Sequence, residues 1–155
     1  MANNDTLRSI RDALNLDDAT MIEIFKEAGR EVSQSALAAF LKTAAEDDYI
    51  PCSNPIMGFF LDGLIIRKRG RQAGASTQAA TPLAELSNNA ILKKLRIALD
   101  LKEDDLVDIF KLAGIDIAKH ELTALFRKPG NRHYKECPDQ ILCGFIQGVG
   151  LSSKD

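Results

Sequence analysis

Two short patterns in this sequence carry side chains capable of chemistry. Tyr49 stands three residues ahead of Cys52, and Tyr134 three residues ahead of Cys137. A thiol attacks or ligates as its thiolate, which needs a nearby cation or a helix N-terminus to lower its pKa. No cation accompanies both pairs, so the spacing fits a Tyr packed over a helix start and a small thiol filling a core gap. His133, Cys137, Asp139 and Cys143 offer zinc-type donors within one short stretch. Of that set the counterpart stretch keeps only Cys52, and a six-residue spacing would put Cys137 and Cys143 on different sides of a helix. The expectation is no metal and no cofactor.

A second kind of chemistry is electrostatic. Arg67, Lys68, Arg69 and Arg71 form a compact basic cluster interrupted by Gly70. Such a cluster can contact phosphates, yet at the end of a helix it also complements the dipole and the last carbonyls. GFIQGVG at 144–150 resembles a glycine-rich phosphate loop, but no strand precedes it and its apolar spacing is helical, so helix packing is the reading. His120 and His133 are the two histidines, and no Ser, P-loop or His-Glu-x-x-His arrangement accompanies them. An enzyme is not expected.

These residues are positioned by an internal repeat. Shifting the chain by 85 residues aligns 3–65 with 88–150 without a gap and gives 19 identities in 63 positions. Asn3, Asn4, Leu7, Arg11, Gly29, Tyr49, Cys52, Phe60 and Gly63 all recur, as Asn88, Asn89, Leu92, Arg96, Gly114, Tyr134, Cys137, Phe145 and Gly148. Two copies of one unit therefore organise the chain, at 1–69 and 88–151, joined by a flexible linker at 70–87 rich in Gly, Ala, Ser and Thr.

Within each copy the apolar residues recur at spacings of three and four, as in Leu7, Ile10 and Leu14 or Ile56, Phe59, Phe60 and Leu64, and nowhere alternate. The fold is therefore expected to be all-α, with four helices per unit, near 4–14, 17–28, 33–44 and 53–69 and near 89–99, 103–113, 118–128 and 138–150. Asn3 or Asn4, and Asn88 or Asn89, can cap the first helices; Asp17, Asp104 and Ser33 lie at helix starts, and Gly29 and Gly114 at left-handed ends. Gly63 and Gly148 interrupt apolar helices, where Gly costs about 1 kcal/mol against Ala, so a close helix crossing is expected. Phe60, Phe145, Leu14 and Leu99 are expected in the core. A unit of this size is marginal alone, so the copies should pack together in a pseudo-two-fold manner, within one chain or by exchange in a homo-oligomer.

NNAILKKLRIALDLKEDDLVDIF at 88–110, YKECPDQILCGFIQGV at 134–149 and CSNPIMGFFLDGLIIRKRG at 52–70 resemble the bacterial domain-of-unknown-function family 1456, the YehS-like proteins. The resemblance covers nearly the whole chain, two-copy arrangement included. It implies a small cytosolic bacterial protein and brings no established activity, substrate or catalytic residue.

Bulk properties narrow the function class. The net charge is −2 and the hydrophobic fraction 45%, which excludes a globally cationic nucleic-acid coat and global disorder. No apolar run is long enough to span a membrane, and three cysteines without a signal peptide suit reduced thiols in the cytoplasm. The charge is uneven: residues 1–66 carry 5 basic and 11 acidic side chains, residues 91–155 carry 11 and 10. The repeated titratable residues are few. Arg11 and Arg96, with Lys26 and Lys111, read as helix-surface ion pairs, such as Lys26 with Glu23 or Lys111 with Asp108. The leading expectation is a non-enzymatic helical protein-interaction module with an unknown protein partner. The alternative is a nucleic-acid-binding protein using helix-turn-helix-like units at 17–44 and 103–128 and the Arg67 to Arg71 cluster.

Overall fold

The computed structural model describes residues 2–70 and 86–152. Arg71 and most of the 70–87 linker fall outside these described residues. Among them the chain is all-helical: α1 (Asn3–Leu14), α2 (Asp18–Glu27), α3 (Gln34–Phe40) and α4 (Asn54–Arg69) are followed by α5 (Asn88–Ala98), α6 (Glu103–Leu112), α7 (Lys119–Leu125) and α8 (Asp139–Ser152). Each helix of the second unit begins 85 residues after its counterpart, so the repeat in sequence is a repeat in structure.

Local signals explain most of the boundaries. Asp17 Oδ1 accepts from Thr20 N at 2.8 Å, Ser33 Oγ from Ala36 N at 3.1 Å and Ser53 Oγ from Ile56 N at 3.4 Å, starting α2, α3 and α4. The hydrogen bonds from Thr20 hold the Asp17 carboxyl below its usual range. Gly29 and Gly114 have φ of +88° and +79°, and each closes the six-residue loop of a Schellman motif: Arg30 N donates to Phe25 O at 3.0 Å, Ile115 N to Phe110 O at 2.8 Å. The second unit starts before Asn88. Ser87 accepts from Ala90 N at 3.1 Å, and Leu86 packs against the core.

Two expectations need correction. The asparagines do not cap: α1 follows Ala2 with no side-chain cap, α5 is capped by Ser87, and all four asparagines lie inside the helices. The third helices stop early, at Phe40 and Leu125, because their last carbonyls are taken by side chains of the first helices, as described below.

The core is continuous across both units. Inside each unit the second helix packs on the fourth, α2 on α4 and α6 on α8, with Phe25 and Phe60 rings 5.3 Å apart and Phe110 and Phe145 rings 5.7 Å apart. Between units the first helix of each lies against the last helix of the other, α1 on α8 and α4 on α5. The two units are thus interlocked reciprocally, as a pseudo-two-fold pair. Burying each unit's last helix from both sides gives the area that a single unit lacks.

Gly63 and Gly148 mark the tightest crossings, and these lie within the units. A Cβ on Gly63 would sit 1.8 Å from Ile24 O, and one on Gly148 would sit 2.2 Å from Ile109 O. Phe60 and Phe145 are fully buried. Leu14 and Leu99 are only partly buried, because they sit at helix ends where α1 and α5 meet and line a small apolar crevice with Ile10, Leu95 and Phe145.

Candidate functional site

The repeated polar residues converge on one arrangement, built twice. In unit one the Asn4 amide nitrogen donates to Phe40 O and Ile50 O, both at 2.9 Å, while its oxygen accepts from Cys52 N at 2.9 Å and Tyr49 Oη at 3.2 Å. In unit two Asn89 donates to Leu125 O at 2.9 Å and Lys135 O at 2.8 Å and accepts from Cys137 N at 2.8 Å. Asn3 and Asn88 reinforce this by donating to Cys52 O and Cys137 O, each at 3.0 Å. One amide thus closes the carbonyl end of the third helix and fixes the segment leading to the fourth. Arg8 adds a bond to Lys42 O at 2.8 Å in unit one.

This clamp takes up Tyr49, Cys52 and Cys137, whereas Tyr134 bonds Ser87 rather than Asn89. Asn4 uses all of its hydrogen-bonding capacity inside the fold, and both asparagines are buried. Burial pushes the Cys52 thiol up to about 12 and the Cys137 thiol to about 11, with the Asp139 charge adding to the latter. Both therefore stay protonated near neutral pH and make poor nucleophiles or ligands. Tyr134, raised first by desolvation and then by the Glu136 charge, is likewise a phenol. Cys143 is exposed on α8, apart from the buried Cys137 in environment, and His120 and His133 are exposed. Among the described residues no group of three or more His, Cys, Asp or Glu side chains is placed to hold a metal ion.

The repeated arginines do not share an environment. Arg11 pairs with the neighbouring Asp12 at 3.1 Å, whereas the Arg96 guanidinium lies 4.7 Å over the Phe126 ring and donates to Leu101 O at 3.1 Å. Position 41, the counterpart of Phe126, is Leu, so the stacking partner exists in one unit alone. The expected pair of Lys26 with Glu23 is not formed: Glu23 bonds Arg67 instead. Lys111 with Asp108 is likewise no ion pair of the described residues; the wider reach of Arg67 from α4 wins the acidic face of α2.

That contact bears on the basic cluster. Arg67 reaches Glu23 at 3.2 Å and Glu27 at 3.7 Å, and Arg69 reaches Asp100 at 2.8 Å and Ile97 O at 3.2 Å. Two of the three described cations are already engaged with unit-one and unit-two carboxylates, so the cluster is a helix end that straps α4 to both units. The helix-turn-helix comparison weakens similarly. The third helices have seven residues; the exposed positions of α3 are Gln34, Ser35 and Ala38, with no cation, and α7 exposes one, Lys119, which pairs with Asp104 at 3.3 Å.

One polar feature escaped the reading of the repeat because it does not repeat. Asp62 on α4 and Lys94 on α5 form an ion pair at the unit interface, the lysine only 4% exposed and the aspartate 7%. A charge embedded in the apolar run GFFLDGLII was its signal in the sequence.

These features define a class: duplicated, interlocked helical units whose repeated polar residues are structural. The chain belongs to the family described as "Protein of unknown function (DUF1456)", which matches residues 3–70 and 88–154. It is similar to the "Uncharacterized protein YehS" of Escherichia coli (strain K12), 34% identical over 149 residues that cover 96% of this chain and 94% of that protein. No solved structure matches. No helix among the described residues is long and apolar enough to cross a membrane.

Proposed function

We propose that this protein is a non-enzymatic helical interaction module of the bacterial cytoplasm whose ligand is another protein. The observation that carries this reading is the fate of the repeated polar side chains. Asn4, Tyr49 and Cys52, and Asn89 and Cys137, are spent on holding the fold, which leaves the two units to differ at their surfaces. Each unit opens a groove beside its third helix. In unit one it runs along Ile22, Val32 and Ala36 with Lys26, Arg30 and Glu31 at the rim; in unit two it runs along Ile115, Ile117 and Ile141 with Glu121 and Lys135 at the rim. Apolar floors with charged rims suit side chains of a partner surface.

Site-specific photo-crosslinking in the native host tests this reading. A crosslinker at Ala36 or Gln140, both at the grooves, should give discrete protein adducts that a crosslinker at exposed Ala19 on α2 does not. Adducts absent from both groove positions, or identical at all three, would contradict it.

A further inference from the structure

The two units present equivalent faces with opposite charge. In unit two this face consists of α5 and the segment leading from α7, residues 88–99 and 122–135. It carries Lys93, Arg96, Arg127, Lys128, Arg132 and Lys135 at or near the surface; the acidic residues Glu121 and Glu136 flank the segment at its two ends. The counterpart residues of unit one, 3–14 and 37–50, carry three cations and five carboxylates. A chain of net charge −2 therefore gathers six positive side chains on one face.

The face is held in shape. Asn89 ties both ends of the segment to α5 through Leu125 O and Lys135 O, and Arg96 is stacked on Phe126. Turns between them are closed by Asn131 N to Lys128 O at 3.0 Å and Tyr134 N to Asn131 O at 2.9 Å, with Gly130 at φ +94°. Of the six cations, Lys135 has a carboxylate partner, Glu121 at 3.6 Å; Arg127, Lys128 and Arg132 are exposed and have none among the described residues. In unit one the reverse holds. Asp5 is taken by Arg8, Asp12 by Arg11, Asp48 by Lys42 at 4.0 Å, and Glu46 by Thr43. Three of the five carboxylates are thus ion-paired with the face's own three cations, so the acidic face offers the basic one only two carboxylates that hold no cation of their own, Glu46 and Asp47, too few for a second copy of this chain to match six cations.

We propose that this face of unit two, which shares Lys135 with the rim of the unit-two groove, binds the phosphodiester backbone of a single-stranded nucleic acid, a property beyond the protein-partner reading. Unopposed cations supply the sequence-independent attraction, by displacing counterions from phosphates. The Arg96 guanidinium, lying 4.7 Å over the Phe126 ring, and the partly buried Tyr134 add flat groups of the kind on which unpaired bases stack. The site is distinct from the Arg67 to Arg69 helix end, where two of the three arginine and lysine side chains are held by carboxylates.

The test is fluorescence anisotropy of a short labelled single-stranded RNA titrated with the full chain at low and at near-physiological salt. The wild type should bind at low salt with an affinity that falls steeply as salt rises. R127Q/K128Q/R132Q should weaken binding tenfold or more and flatten the log–log salt slope by about 2, at about 0.7 per lost phosphate contact. R67Q/K68Q/R69Q should change it little. Lys128→Glu alone serves as a second variant, and matching circular-dichroism melts establish that each variant is folded. No binding at low salt, equal losses in the two triple variants, or equally tight binding of poly-glutamate would overturn the proposal, the last by assigning the face to an acidic protein.

Discussion

Asp62 and Lys94 are joined in a buried ion pair where α4 crosses α5, and the equivalent crossing of α8 with α1 has Gln147 and Ser9 in their places. The two inter-unit contacts are therefore alike in backbone and unlike in charge. Removing one partner strands the other charge: Asp62→Gln or Lys94→Ser alone should destabilise by about 3–5 kcal/mol. Installing the uncharged set of the other crossing, Asp62→Gln with Lys94→Ser, should cost far less than the two single changes combined. Urea denaturation of the four proteins in a double-mutant cycle measures this, and single changes each costing under about 1 kcal/mol would contradict the finding.

The same asymmetry selects which units pair. Two first units brought together would bury Asp62 against Ser9, and two second units would bury Lys94 against Gln147. Wild-type protein should keep one oligomeric state as concentration rises, whereas the Asp62→Gln, Lys94→Ser variant should show additional assemblies by light scattering. Indistinguishable profiles would remove the pairing role from the ion pair.

The asparagine clamp predicts a large cost from a small deletion. Asn4→Ala leaves the Phe40 and Ile50 carbonyls and the Cys52 amide without their partner, and Asn89→Ala does the same to Leu125, Lys135 and Cys137. Each buried group left unsatisfied costs about 1–3 kcal/mol. A clear fall in melting temperature is expected for either variant, while Asn131→Ala in the exposed turn should change it little.

Glycines of one helix should respond in opposite directions. Gly63→Ala drives a methyl into the Ile24 carbonyl and should cost about 1–3 kcal/mol or more, since backbone has to move. Gly58→Ala meets nothing within 4 Å and should stabilise by about 0.5–1 kcal/mol through helix propensity. Thermal melts of the two variants decide it, and equal shifts would contradict the crossing.

The buried thiols make stability depend on alkaline pH. Folded Cys52 and Cys137 are held at about 12 and about 11 against an ordinary 9.0, so the folded state binds more protons than the unfolded one between those limits. Stability is then fully present below pH 9 and declines as pH rises towards 11 and 12. A Cys52→Ala, Cys137→Ala variant should lose less of its own stability over that range. At neutral pH a thiol reagent should modify exposed Cys143 first and the other two only on denaturation.

The sequence by itself determined the duplication, the all-helical class and the helix order, because apolar spacing and capping residues act over a few positions. Ser33, Asp17, Gly29 and Gly63 could be read alone for this reason: a cap or a missing Cβ states its requirement locally. It did not determine what Asn4 and Asn89 do, since a helix-start asparagine looks like a cap until the chain folds back and presents the Phe40 and Ile50 carbonyls 36 and 46 residues away. Nor did it disclose that Arg67 and Arg69 are neutralised while Arg127, Lys128 and Arg132 are not. Only tertiary structure decided that, because a charge is offset by whichever opposite charge lies within a few ångströms, and here the partners Glu23 and Asp100 stand 44 and 31 residues away in the chain.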